Sequence, residues 1–188
     1  MQKRINTINV NNYNKETDKM ISPVLEAIYR RRSIREFIDK EISSEQLYEI
    51  IKAGIWAPSG LNNQPWRFVI IQNPDIKQHV AKQTHYGHIV RDANALIAVF
   101  LSKEEMYDTV KDIQTAGACI QNILLAAEAL ELGAVWLGQI LKNKLEVNKI
   151  LGLDDNFDLM AVVALGYPAH RNQKSKRKDV SELLLKEL

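Results

Sequence analysis

The segment Arg31-Arg32-Ser33-Ile34-Arg35 carries three guanidinium groups and a hydroxyl within five residues. Such a density of charge-assisted donors suits a phosphate or electron-rich carbonyl oxygens. The same residues close a helix, where the helix dipole favours cations, so the cluster alone reads more readily as a solvated cationic cap. A second stretch, Ala57-Pro58-Ser59-Gly60-Leu61-Asn62-Asn63-Gln64-Pro65-Trp66, is rich in Ser, Gly, Asn and Gln and fenced by prolines. It describes a rigid polar loop whose amide and backbone groups can read the edge of a heterocycle, although most such loops are plain connections. Near the C-terminus, Lys174-Ser175-Lys176-Arg177-Lys178 reads as a solvated basic run, able to touch nucleic acid nonspecifically.

Other residues give less. His85 and His88 have metal-like spacing, but no further His, Cys or carboxylate pattern completes a ligand set, so they read as surface or substrate-side histidines. Cys119 lies among small apolar residues and reads as a packed core thiol rather than a nucleophile. No GxGxxG pattern follows a strand, so a Rossmann dinucleotide domain is not indicated.

The elements that must position these residues follow from periodicity and punctuation. Ser22-Pro23 starts a helix with Val24, Leu25 and Ile28 on one side, ending in the arginines. Ser43 and Gln46 have capping-box spacing ahead of Leu47, Ile50, Ile51, Gly54 and Ile55, a second amphipathic helix. Residues 66–71 and 95–101 are short apolar runs that read as strands, the latter preceded by a polar stretch, and Pro74 opens another helix. Residues 108–132 form the long central helix, dense in small residues, which lets a second backbone approach in the core or across a partner interface. Residues 143–151 read as a helix, Leu159 to Leu165 as a buried strand before a turn at Gly166-Tyr167-Pro168, and the chain ends in Val180 to Leu188. With no internal repeat or interior linker, the elements interleave as one α+β domain over residues 20–188.

Composition sets the class. The chain has 188 residues, 46% hydrophobic and 26% charged, enough for one sizeable core. A net charge of +2 argues for neither a nucleic-acid nor a membrane partner, so a basic site must be local. One cysteine forms no internal disulfide, no apolar run is long enough to span a bilayer, and a cytoplasmic location is expected. Residues 1–19 lack the apolar stretch of an export signal and are expected to be a mobile arm, or an extension upstream of a start at Met20.

Taken together, Arg31-Arg32-Ser33-Ile34-Arg35-Glu36-Phe37 and Pro58 to Trp66 resemble the two signatures of the nitroreductase family. Gly117 through Gly133 is similar to that family's small-residue helix, Val135-Trp136-Leu137-Gly138 to the segment behind the flavin ring, and Leu165-Gly166-Tyr167-Pro168 to its closing strand and turn. The resemblance covers roughly residues 22–184. It implies a three-layer α+β fold, a central mostly antiparallel sheet flanked by helices, in an intertwined homodimer with shared active sites. It also implies an FMN-dependent oxidoreductase that passes hydride from NADH or NADPH to a small nitroaromatic or quinone-like acceptor, with ping-pong kinetics and the chemistry carried by the cofactor.

Position by position, Arg31, Arg32, Ser33 and Arg35 match the residues that hold the FMN phosphate, ribityl and pyrimidine oxygens. Pro58, Ser59, Gly60 and Leu61 match those that reach the other subunit's flavin, with Asn62 and Gln64 in the same loop, and Trp136, Leu137 and Gly138 match the segment facing the ring. The family's Lys-x-Arg before a proline is altered here; the register of Val180 and Leu183 makes Arg177 the first choice for a further phosphate contact and Lys176 the second. The same scaffold also supports dehalogenation, azoline oxidation and flavin fragmentation, usually with a lid that the short stretch between Ala95 and Asp108 disfavours. A non-enzymatic basic-tailed binding module is disfavoured because aromatic and basic residues do not interleave.

Overall fold

The computed structural model describes residues 22–188; the arm expected over residues 1–19 lies outside the described residues. The described residues divide into two units, 22–30 and Arg31–Leu188. In the first, helix α1 (Pro23–Arg30) begins where Ser22 Oγ accepts the Val24 N–H at 3.3 Å, and its apolar residues Val24, Leu25 and Ile28 are exposed.

The second unit is built on a five-stranded sheet in which every ladder is antiparallel. Strands β1 (Phe37–Ile38), β2 (Trp66–Ile71), β3 (Ala95–Ser102), β4 (Gly133–Leu137) and β5 (Phe157–Pro168) follow the order β1-β5-β3-β2, with β4 also paired to β5. All eight residues of β3 are buried, because helices cover both faces. On one face α2 (Ser44–Ile55) and α5 (Thr109–Ala129) pack Leu47, Ile50, Ile120 and Ile123 against Ala95, Ile97 and Val99. On the other, α3 (Pro74–Ala81), α4 (Gly87–Asp92) and α6 (Lys144–Ile150) pack Val80, Ile89 and Val147 against Leu96, Ala98 and Phe100. Strand alternation thus separates two cores in a three-layer α+β arrangement. A bulge in the β3–β5 ladder sets Val99 opposite Ala161 but Phe100 opposite Leu159, so Met160 has no partner in the register.

Local chemistry fixes the ends. Ser43 and Gln46 form the expected capping box of α2, and Asn73 caps α3 with Pro74 at its first position. Asp179 and Glu182 form another box at α7 (Val180–Leu183). Three features depart from the sequence reading. The stretch before β3 contains α4, whose single apolar pair Ile89-Val90 is too short to show a period. Residues 133–137 form a strand, and β5 runs on through Gly166-Tyr167-Pro168 where a turn was expected. At that end Asn94 joins three segments: its Nδ2 donates to the Ile38 carbonyl at 3.0 Å, its Oδ1 accepts the Tyr167 N–H at 3.0 Å, and its own N–H meets the Leu165 carbonyl at 2.9 Å.

Where α2 crosses α5, Gly54 is buried, and a Cβ there would lie 2.9 Å from Ile123 Cγ1 and 3.2 Å from Cys119 Sγ. We expect Gly54→Val to destabilise the protein by about 1–3 kcal/mol through overpacking, measured by urea unfolding, and Ile123→Ala in the same chain to recover part of the loss. An unchanged unfolding midpoint in Gly54→Val would contradict this packing.

Candidate functional site

The arginine segment reaches the sheet through β4. Ser33 pairs with Ala134 in a parallel bridge, and the Ile34 N–H donates to the Ala134 carbonyl at 3.0 Å. Ile34 is buried against Gly133, where a Cβ would stand only 2.7 Å from Ile34 Cβ. A glycine is therefore required for this close approach. The anchored isoleucine leaves Arg31, Arg32 and Ser33 half-buried and Arg35 exposed, with Arg32 Nη1 on the Arg31 carbonyl at 2.9 Å and Arg35 Nη1 on the Ser33 carbonyl at 3.3 Å. Farther along the same strand stand Trp136, Leu137 and the following Gly138, so β4 links the two sequence stretches.

Two residues that the sequence reading passed over complete the basic cluster. Glu128, in the last turn of α5, is buried, and its Oε2 accepts Arg171 Nη1 at 2.9 Å; Arg171 Nη2 also donates to the Leu132 carbonyl at 3.3 Å. Burial first, and then the charges of Arg177 and Arg32, push the Arg31 pKa below its ordinary 12.5, while Glu128 acts in the opposite direction. Arg177 thus lies within electrostatic range of Arg31, and the Lys176 carbonyl accepts Arg177 Nη1 at 3.2 Å. The sequence signal for Glu128 was a lone acid in the apolar run Ile123 to Leu130.

Beside Trp136 and Gly138 opens a cleft of about 530 Å³, lined largely by Ile113, Ala116, Ile120 and Met160, with the Lys144–Asp158 ion pair (2.6 Å) among its lining residues. Trp136 lies over Gly117 and is 42% exposed, while a Cβ on Gly138 would meet nothing within 4 Å. The pair offers an apolar surface beside unobstructed backbone.

The polar loop forms a 3₁₀ turn over Gly60–Asn62 with three non-glycine residues in the left-handed region, Leu61 (φ 55°), Asn62 (φ 56°) and Gln64 (φ 49°). Such conformations persist only when the surroundings impose them. Here the Gln64 N–H reaches Ser59 Oγ at 3.2 Å, and the Tyr107 hydroxyl packs onto Gly60, where a Cβ would displace it. Asn63 Nδ2 donates to Asp112 Oδ1 at 2.9 Å and to the Glu105 carbonyl at 3.0 Å. Arg67, paired with Glu105, donates to the Gln64 carbonyl at 3.3 Å. Pro58 is exposed and Leu61 is 85% exposed. The loop is thus anchored near the start of α5 and Arg171 at its end; 16 residues of helix separate Asp112 from Glu128, about 24 Å at 1.5 Å each.

His85 and His88 are exposed, and among the described residues no group of His, Cys, Asp or Glu is placed to hold a metal ion. The Cys119 thiol is buried, and burial pushes its pKa to about 12, in line with a packed core thiol. Among the described residues no helix is long and apolar enough to cross a membrane.

Comparison with known proteins gives consistent matches. The model of the nitroreductase family matches residues 28–86 and 77–167. A protein of Archaeoglobus fulgidus provisionally named NADH dehydrogenase/NAD(P)H nitroreductase is 36% identical over 147 residues, 77% of this chain and 84% of its own length. The NADPH-flavin oxidoreductase of Vibrio harveyi is 30% identical over 77% of this chain and 65% of its own length. The crystal structure of a provisionally named nitroreductase from Desulfovibrio desulfuricans, in complex with FMN, superposes with a TM-score of 0.87 at 49% identity, covering 90% of this chain and 99% of that one.

Asp112 provides a test of the loop anchor. Burial raises its pKa, but donation from the Asp108 N–H, Asn63 and the Tyr107 N–H outweighs burial, and the net shift is below the ordinary 3.8. A depressed folded value gives stability that is present above the unfolded value and lost as pH falls through the folded one, hence below 3.8. Asn63→Ala should cost about 1.5–3 kcal/mol by removing a donor to a buried carboxylate, and should move the acid unfolding midpoint to higher pH. Urea unfolding as a function of pH measures both, and an unmoved acid midpoint would contradict the anchor.

Proposed function

The chain belongs to the nitroreductase family, and on that premise we propose that it is an FMN-dependent oxidoreductase taking hydride from NADH or NADPH and delivering it to a small organic acceptor. The observation that carries this reading is that Arg31 lies within electrostatic range of Arg32, Arg177 and the Glu128 that pairs with Arg171, while the adjoining Ser33 bridges to the strand that presents Trp136 and Gly138 to an apolar cleft. Such a concentration of guanidiniums favours an anion. Burial first, and then the charges of Arg177 and Arg32, lower the Arg31 pKa, and a dianionic phosphate would oppose that shift. The residues therefore fit the cofactor.

In this reading Arg31 and Arg177, with Arg32 and Lys176 near them, bind the phosphate. Ser33 and Arg35 serve the ribityl and pyrimidine oxygens, and the backbone of Trp136, Leu137 and Gly138 faces the ring beside the cleft. Bound FMN would supply hydride transfer in two half-reactions, acceptor following nicotinamide at the same place. The protein orients the ring, supplies positive charge at its electron-rich edge and keeps bulk water from the apolar cleft. The turn from β3 to α5 is short, residues 103–108, which favours an open site over the lid-bearing relatives of the scaffold.

We further propose a homodimer with shared sites. Pro58, Ser59, Gly60 and Leu61, with Asn62 and Gln64 behind them, are anchored about 24 Å along α5 from the end where Glu128 holds Arg171, which favours service to the neighbouring subunit's flavin. Exposed apolar side chains near that anchor, Trp56 (80%), Leu61 (85%) and Val110 (67%), are what such an interface would cover.

The purified protein is expected to be yellow, with parallel double-reciprocal lines when donor and acceptor are varied. Arg31→Ala and Arg35→Ala should each weaken FMN binding about tenfold or more by removing a charge-assisted contact, and fluorescence titration measures it. Unchanged affinity in both would remove the clamp. Light scattering at several concentrations, with and without FMN, tests the shared site. A stable monomer that holds FMN as tightly as the dimer would overturn it.

A further inference from the structure

Arg171 and Glu128 are 43 residues apart in sequence and are joined outside any strand pairing. A carboxylate in the last turn of a helix is opposed by the helix dipole, and α5 has no basic residue in that turn to offset it. Buried as well, it requires a cation from elsewhere. That cation comes from just beyond β5: one arm of the Arg171 guanidinium takes Glu128 Oε2 at 2.9 Å and the other the Leu132 carbonyl at 3.3 Å. A fork of this kind fixes orientation as well as distance.

We propose that Glu128 and Arg171 are positioning residues that tie down the C-terminal segment carrying Arg177, a role that rests on reading Arg31 and Arg177 as the FMN-phosphate clamp. The segment after β5 has few other restraints before Arg177. Ala169 N–H meets the Glu36 carbonyl at 3.0 Å, His170 meets Glu36 at 3.3 Å, and Gln173 folds back onto His170. The hydrogen bonds of Arg177 go to Ser175 and Lys176 of the same segment, so they shape its side chain without fixing its place on the protein. Arg177 and Arg32 each repel Arg31, and the His170–Glu36 contact is exposed and weak, so the fork on buried Glu128 is the firm hold on the segment against that repulsion. Arg177 lies six residues on from Arg171, a reach of about 20 Å if extended. The tether therefore limits where that guanidinium can go, and Glu128 offsets part of the repulsion at Arg31.

The test is a double-mutant cycle read with two ligands, FMN and riboflavin, which lacks the phosphate. Arg177→Ala should weaken FMN about tenfold and leave riboflavin unchanged. Arg171→Ala should do the same, and the double variant should be no weaker than either single one, because untethering already removes the Arg177 contribution. Trypsin digestion without flavin gives an independent readout: cleavage at Lys174 to Lys178 should accelerate in Arg171→Ala and stay near the parent rate in Arg177→Ala at the remaining lysines. Arg171→Lys, which keeps the charge opposite Glu128 but loses the fork, serves if Arg171→Ala does not fold; it should show the same changes at smaller size. Losses that multiply in the double variant, or an FMN affinity and tail cleavage unaltered by both Arg171 variants while Arg177→Ala weakens FMN, would overturn the tether and leave the clamp standing. Unaltered FMN affinity in Arg177→Ala would instead overturn the clamp, and the tether's role with it.

Discussion

Two carboxylates buried in one helix must each be satisfied, and the candidate site is arranged around how that happens. Asp112, in the first turn of α5, is held by N–H donors: Asn63 from the polar loop and the backbone of Tyr107 and Asp108. Glu128, in the last turn, is held by the guanidinium of Arg171. Leaving either without a partner would cost several kcal/mol, so both ends of the helix are committed to distant parts of the chain. The two solutions differ in consequence. Hydrogen bonding at Asp112 fixes the shape of a neutral loop, whereas ion pairing at Glu128 draws positive charge to one place.

The loop carries a cost of its own. Left-handed backbone at Leu61, Asn62 and Gln64 stores strain, of order 1–3 kcal/mol for a non-glycine residue, with the asparagine at the low end. That strain is imposed by Asp112 from below and by Arg67 at the exit, and the outcome is a leucine directed to the outside of the chain. An element held in a strained form with its apolar tip exposed is understood most simply as one that meets another molecule. In the proposed dimer that molecule is the second subunit with its flavin.

Much of the fold was legible in the sequence because its signals are local. The Ser43/Gln46 box, the apolar runs of β2 and β3 and the small-residue period of α5 each announce an element without reference to the rest. Strand β4 was not legible as a strand, since Gly133-Ala134-Val135-Trp136-Leu137 owes its conformation to β5 on one side and to Ser33 and Ile34 on the other. Gly166 and Pro168 misled for a related reason. Gly166 is there for space, as a Cβ would fall 2.4 Å from Asn94 Oδ1 and 2.5 Å from Phe37 Cδ1, and Pro168 closes the strand, where a missing N–H is tolerated. In the site, Arg31 and Arg177 stood out by residue type. Glu128 and Arg171 look ordinary in their own neighbourhoods and gain meaning only when the fold brings them together.

This distribution has an electrostatic logic. Guanidiniums placed on one short segment can be held apart by local geometry, but here they come from the start of the unit and from the segment after its last strand. They converge although convergence is repulsive: after burial, the charges of Arg177 and Arg32 lower the Arg31 pKa. Glu128 opposes that repulsion, and a phosphate dianion has the sign to oppose it further. If that dianion belongs to FMN, the cofactor is a counter-ion of the fold as well as its redox group, and binding it stabilises the convergence of segments that otherwise repel. In that reading the phosphate clamp joins the start of the unit to the segment after its last strand, and the loop stands near the other end of α5, so affinity for the cofactor would depend on the whole assembly being formed.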